Sequence, residues 1–157
     1  VKGRSLTCLC GESSKEARSK IDQMIYGMSM YYHSNDDFRY RDTEFYRSPP
    51  GNSPMIPLKR CCMYEAGVCR GSADNMLMVS ESFRIILPSD LLEFFGDNRS
   101  VFRNQYQINS DSRGFTVRAY GDLDCDGVFS TFERTIEIDE DGELRPPSPL
   151  KVYQRCE

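Results

Sequence analysis

Between Ser13 and His33, Ala17, Ile21, Met24, Met28 and Tyr31 recur at steps of four and three, drawing one apolar stripe along a helix. Ser13 followed three residues later by Glu16 reads as a capping box, and the pattern leaves open whether the helix also runs back through Cys10-Gly11 toward Val1. Gly27 weakens its interior by about 1 kcal/mol relative to alanine, a cost that a packed face absorbs. Ser34-Asn35-Asp36-Asp37 ends it. A single stripe of this kind cannot bury itself. It needs a second layer, and the remainder of the chain has to supply it.

Strand patterns follow, all C-terminal to the helix. Met76 to Leu87 contains one, and Val101 to Ile108 alternates as another. Phe115 to Tyr120 alternates apolar and polar residues, which predicts a half-buried strand. Val128, Phe132, Ile136 and Ile138 are expected to line one face of the next. Leu91 to Phe95 reads as a short helix closed by Gly96, and Asp139-Glu140-Asp141-Gly142 as a hairpin turn. Residues 38–75 are irregular, because Pro49, Pro50, Pro54 and Pro57 forbid long regular elements there. The expected class is α+β, with the long amphipathic helix packed on a small antiparallel sheet of about four strands. One domain accounts for all 157 residues.

A loop as long as 38–75 needs tying down, and the chain carries seven cysteines. Disulfides in an oxidising compartment explain more of them than zinc does. Cys8-x-Cys10 is too tight for a zinc knuckle, and His33 is the only histidine. Cys61, Cys62 and Cys69 are expected to be bonded, with the adjacent Cys61 and Cys62 taking different partners. Cys125 and Cys156 are the further candidates.

The net charge of −4 and the lack of a basic stripe exclude nucleic acid as a partner. No G-x-S-x-G, P-loop or dinucleotide signature occurs, so the chain is not read as an enzyme and no small-molecule substrate is expected. His33, beside the end of the helix, reads as a surface or partner-contacting residue. Tyr26, Tyr31, Tyr32, Phe38 and Tyr40 read as packing.

One motif carries chemistry. Asp122-Leu123-Asp124-Cys125-Asp126-Gly127 through Glu133 fits the twelve-position EF-hand calcium loop. Asp122, Asp124 and Asp126 take positions one, three and five, and Gly127 permits the turn. The Val128 carbonyl, Ser130 and Glu133 complete the candidate ligands. The plain alternative is a solvated acidic turn. The flanks read as strands and not helices, so at about 3.3 Å per residue Glu133 would lie about 10 Å beyond Ser130. Glu133 is therefore the ligand least tied to the rest.

Ser14-Lys15-Glu16-Ala17-Arg18 followed by Ile21, Ile25-Tyr26 and Tyr31-Tyr32 resembles the distal half of the N-terminal helix of type IV pilins and secretion pseudopilins. Phe115 to Asp124 followed by Ser130-Thr131-Phe132 resembles the sheet hairpin of that family. The resemblance implies a pilin-like fold: residues 1–34 as the distal helix, 38–75 as the tied loop, and 76–157 as short helix and sheet. It implies an apolar helical half preceding Val1 that would hold the subunit in the inner membrane. It further implies other pilin subunits as partners, a periplasm-facing state before assembly, and an extracellular or cell-surface filament afterwards. A Cys125–Cys156 disulfide would match the C-terminal loop that such pilins close. Some pseudopilins bind calcium in this region, in keeping with calcium as the expected cofactor. The resulting expectation is a structural filament subunit, a minor pilin or pseudopilin. The alternative is a secreted calcium-dependent binding module or adhesin on the same scaffold.

Overall fold

The computed structural model describes residues 6–34, 51–52, 55–70, 101–111 and 113–153. The strand expected in Met76 to Leu87, the helix at Leu91 to Phe95, Cys156 and much of the 38–75 loop lie outside these residues. Among them, α1 spans Leu6–Ser34, and the strands are β1 (Gly51–Asn52), β2 (Cys69–Arg70), β3 (Val101–Phe102), β4 (Asn104–Asp111), β5 (Gly114–Gly121), β6 (Ser130–Glu137) and β7 (Lys151–Tyr153). The fold is α+β. No described helix is long and apolar enough to cross a membrane.

Five strands form one antiparallel sheet in the order β1-β4-β5-β6-β7, and β2 pairs with β3 separately. The sheet exceeds the expected four strands because Gly51–Asn52, inside the proline-rich loop, adds an edge to β4. From β4 to β7 each strand pairs with the next, so successive turns set the register.

The helical stripe does what its spacing requires. Ala17, Ile21, Met24, Ile25, Met28 and Tyr32 are buried against Phe115, Val117, Ala119, Phe132 and Ile136 from the inner face of the sheet. Along β5 the alternation is realised, with Phe115, Val117 and Ala119 facing the helix. Phe132 and Ile136 do the same on β6, and Ile138 packs partly against the core. Val128 does not join them. It lies in the loop before β6 and is exposed, so the strand face begins later than the apolar spacing suggested.

The capping box is a second correction. Helix α1 begins at Leu6 and runs through Cys10-Gly11, leaving Ser13 in its interior. Ser13 and Glu16 form no capping box, because tertiary partners claim both. The Ser13 hydroxyl donates to Asn104 Oδ1 (3.1 Å), and Asn104 Nδ2 returns a bond to the Ser13 carbonyl (3.1 Å). The Glu16 carboxylate accepts from the Arg103 and Asn104 backbone N–H groups (2.8 and 3.2 Å), from Asn104 Nδ2 (3.1 Å) and from the Tyr106 hydroxyl (2.7 Å). Helix and sheet are thus joined by a polar cluster at the point where β3 passes into β4. Gly121, paired with Asn104, leaves it room: a Cβ there would sit 2.8 Å from Asn104 Oδ1.

The described part of the central loop is fastened to the same region. Ile56 exchanges backbone hydrogen bonds with Tyr106 (2.9 and 2.7 Å), and Gln105 Nε2 donates to the Pro57 carbonyl (2.7 Å). The Ile56–Pro57 peptide is cis. Two 3-10 turns, Cys61–Met63 and Glu65–Gly67, then lead into β2. Cys61 bonds Cys69 in the core, and Cys62 bonds Cys125 across the molecule. The adjacent cysteines take different partners, as their geometry demands. The Cys125–Cys156 pair implied by the pilin resemblance is not formed, because Cys62 already holds Cys125.

Candidate metal centre

The loop joining β5 to β6 begins at Asp122, directly after the Gly121–Ser130 pair that closes the ladder. Cys125 (φ 65°) and Gly127 (φ 91°) turn the chain back on itself. Glycine suits the second position because positive φ costs it nothing. Asp124 Oδ1 accepts from the Asp126 N–H (3.3 Å), Asp126 Oδ1 from Val128 (2.7 Å), and Asp122 Oδ2 from Gly127 (3.2 Å). These are local side-chain-to-backbone turns of the kind aspartate favours.

The outcome is three carboxylates aimed at one place. One oxygen from each of Asp122, Asp124 and Asp126 lies within 4.8 Å of the others. Calcium–oxygen distances of about 2.3–2.6 Å put ligands on opposite sides of an ion about 5 Å apart, so this spread suits a calcium shell. The donors are all hard oxygens, which excludes a soft-metal site. Asp124 and Asp126 are exposed, whereas Asp122 is buried.

The remaining expected ligands fare differently. Glu133 sits on β6 opposite Arg118 and forms an ion pair with it (Nε to Oε2, 2.5 Å). It takes no part in the aspartate group, because extension of β6 carries it along the sheet. Ser130 is buried at the first position of β6, and Val128 is exposed between it and the aspartates. Of the four carboxylates expected at the site, Asp122, Asp124 and Asp126 come together and Glu133 does not.

Two anchors were not legible in the motif. The Cys62–Cys125 bridge fixes the middle of the loop, at the fourth motif position. Arg60, two residues before Cys62, places Nη1 2.5 Å from Asp122 Oδ2. Cys125 inside the motif was the available signal for the first. Nothing in the sequence pointed to the second.

Other candidates resolve into structure. Cys10, Cys61, Cys62, Cys69 and Cys125 are all disulfide-bonded and offer no thiolate to zinc. His33 is exposed and meets Tyr32 edge-on at 6.0 Å between ring centroids. Tyr32 is buried and donates to the Gly142 carbonyl (2.5 Å), while Tyr26 is 68% exposed.

Set against protein-family models, curated proteins and solved structures, the chain matches none.

Proposed function

We propose that the chain is a structural subunit of a type IV pilin or pseudopilin filament, with its β5–β6 loop ordered by calcium. The observation that carries this reading is the long helix α1 laid along the antiparallel β4–β7 meander. Elsewhere on α1, Lys15, Arg18, Ser19, Gln23 and Tyr26 are exposed, a face that neighbouring subunits would cover. Buried and partly exposed disulfides accord with the periplasm or cell surface. The test is fractionation of cells expressing the protein from its natural gene. It is expected in sheared surface filaments, labelled along their length by antibody. Recovery only as a freely secreted monomer would reject the filament.

That second outcome belongs to the alternative reading, a secreted calcium-dependent binding module. Met63, Tyr64 and Val128, exposed beside the Cys62–Cys125 bridge, are what favour it.

Calcium would be held by Asp122, Asp124 and Asp126, neutralising carboxylates that otherwise repel one another. Binding to the folded state alone adds about 2.7 kcal/mol at a hundredfold excess over Kd. Millimolar calcium is therefore expected to raise the melting temperature, and magnesium, with its stricter octahedral demand, much less. Asp124→Ala abolishes the shift. Glu133→Ala leaves it intact, since Arg118 holds that side chain away. Identical melting curves in calcium and EDTA would return the loop to a plain acidic turn.

A further inference from the structure

Asp122 differs from its two neighbours in being closed off from water, at 4% exposure. A buried carboxylate is costly unless it is paired. Its two oxygens are treated unequally. Oδ2 receives both the Arg60 guanidinium (2.5 Å) and the Gly127 N–H (3.2 Å). Oδ1 is buried and has no hydrogen-bond partner among the described residues. One half of the carboxylate is saturated while the other keeps its lone pairs, and the same carboxylate belongs to the aspartate group.

Arg60 lies against the loop itself. A Cβ on Gly127 would stand 3.7 Å from Nη1. Its backbone is held there by the Cys62–Cys125 bridge, yet its side chain is 33% exposed and has a way out to solvent.

We propose that Arg60 is a built-in counter-ion for the loop: it neutralises Asp122 in the ion-free protein and sets both the affinity and the charge preference for a bound cation. The proposal rests on the calcium reading above. Three carboxylates and one guanidinium leave a net charge of −2, which a single divalent ion balances. A cation held by these aspartates lies close to the guanidinium and is opposed by it, in proportion to the ion's own charge. Loop shape does not depend on Arg60 alone. The Gly127, Asp126 and Val128 N–H bonds to the aspartates remain when it is removed. Loss of the guanidinium therefore removes repulsion and keeps the cradle.

The experiment is calorimetric titration of wild type, Arg60→Gln and Arg60→Lys with calcium chloride and terbium chloride, with melting curves in EDTA. Arg60→Gln is expected to bind calcium about tenfold more tightly or better. Its gain in log affinity for trivalent terbium should be roughly one and a half times that for calcium, following the ratio of charges. In EDTA it melts below wild type, because Asp122 has lost its partner. Arg60→Lys keeps the charge and stays near wild-type affinity. Calcium binding by wild type with equal or weaker binding by Arg60→Gln overturns the counter-ion role and leaves the calcium reading standing. Tighter binding by Arg60→Lys would also overturn it, since shape and not charge would then be responsible. Absence of binding by both wild type and Arg60→Gln overturns both. A second readout needs no variant. The Arg60 guanidinium NMR signals in wild type should shift as calcium is added, and signals unchanged at saturation refute the proposal.

Discussion

Replacing Cys62 and Cys125 together by serine is expected to cost about 4 kcal/mol of folding free energy, read as a lower urea midpoint. The bridge joins residues 63 apart in sequence, so its loss returns a large loop-closure entropy to the unfolded chain. Cys61–Cys69 spans only 8 residues, and by the same relation its removal returns about 2.5 kcal/mol. The longer bridge dominates on this account, although it is the more exposed of the two. Its second effect is local. With the middle of the β5–β6 loop untied, the carboxylates of Asp122, Asp124 and Asp126 are no longer held by the central strut, and the calcium-induced rise in melting temperature should shrink. A double variant within 1 kcal/mol of wild type would show that neither end of this bridge is constrained by it.

The parts of this architecture that depend on near neighbours were visible in the sequence. The stripe Ala17, Ile21, Met24, Met28 is a property of helical spacing, and the alternation at Phe115 to Ala119 a property of the pleat. The D-x-D-x-D-G turn is likewise local, since aspartate and glycine carry their conformational preferences with them. What failed depends on partners distant in sequence. Ser13 and Glu16 have the residue types and spacing of a cap, but their hydrogen-bonding capacity is taken by Asn104 and Tyr106, about 90 positions away. The pilin resemblance implies a Cys125–Cys156 pair, and only the folded position of Cys62 decides otherwise. Glu133 matches the twelfth loop position by count. The motif assumes a helix there, and β6 is extended, so the count puts the carboxylate beside Arg118.

Glu16→Ala is expected to destabilise the protein by about 3 kcal/mol, though it removes no core volume. The carboxylate serves the backbone N–H groups of Arg103 and Asn104 and the hydroxyl of Tyr106, and Asn104 and Tyr106 are fully buried. Each buried donor deprived of its acceptor costs about 1–3 kcal/mol, and water entering beside the truncated side chain recovers part of the total. Glu16→Gln keeps an acceptor oxygen and should cost less than half as much. A second measurement isolates the Tyr106 contact. Burial raises the Tyr106 pKa well above 10.0, and the Glu16 charge raises it further. Above pH 10.0 the unfolded chain releases this proton while the folded protein keeps it, so stability falls as pH rises from there toward the folded-state pKa. The slope from this one group is about 1.4 kcal/mol per pH unit. Tyr106→Phe removes that contribution, so its loss of stability between neutral and alkaline pH should be smaller than that of wild type. Equal alkaline slopes in the two proteins would mean that the hydroxyl is not sealed between helix and sheet, and the estimate for Glu16→Ala would fall with it.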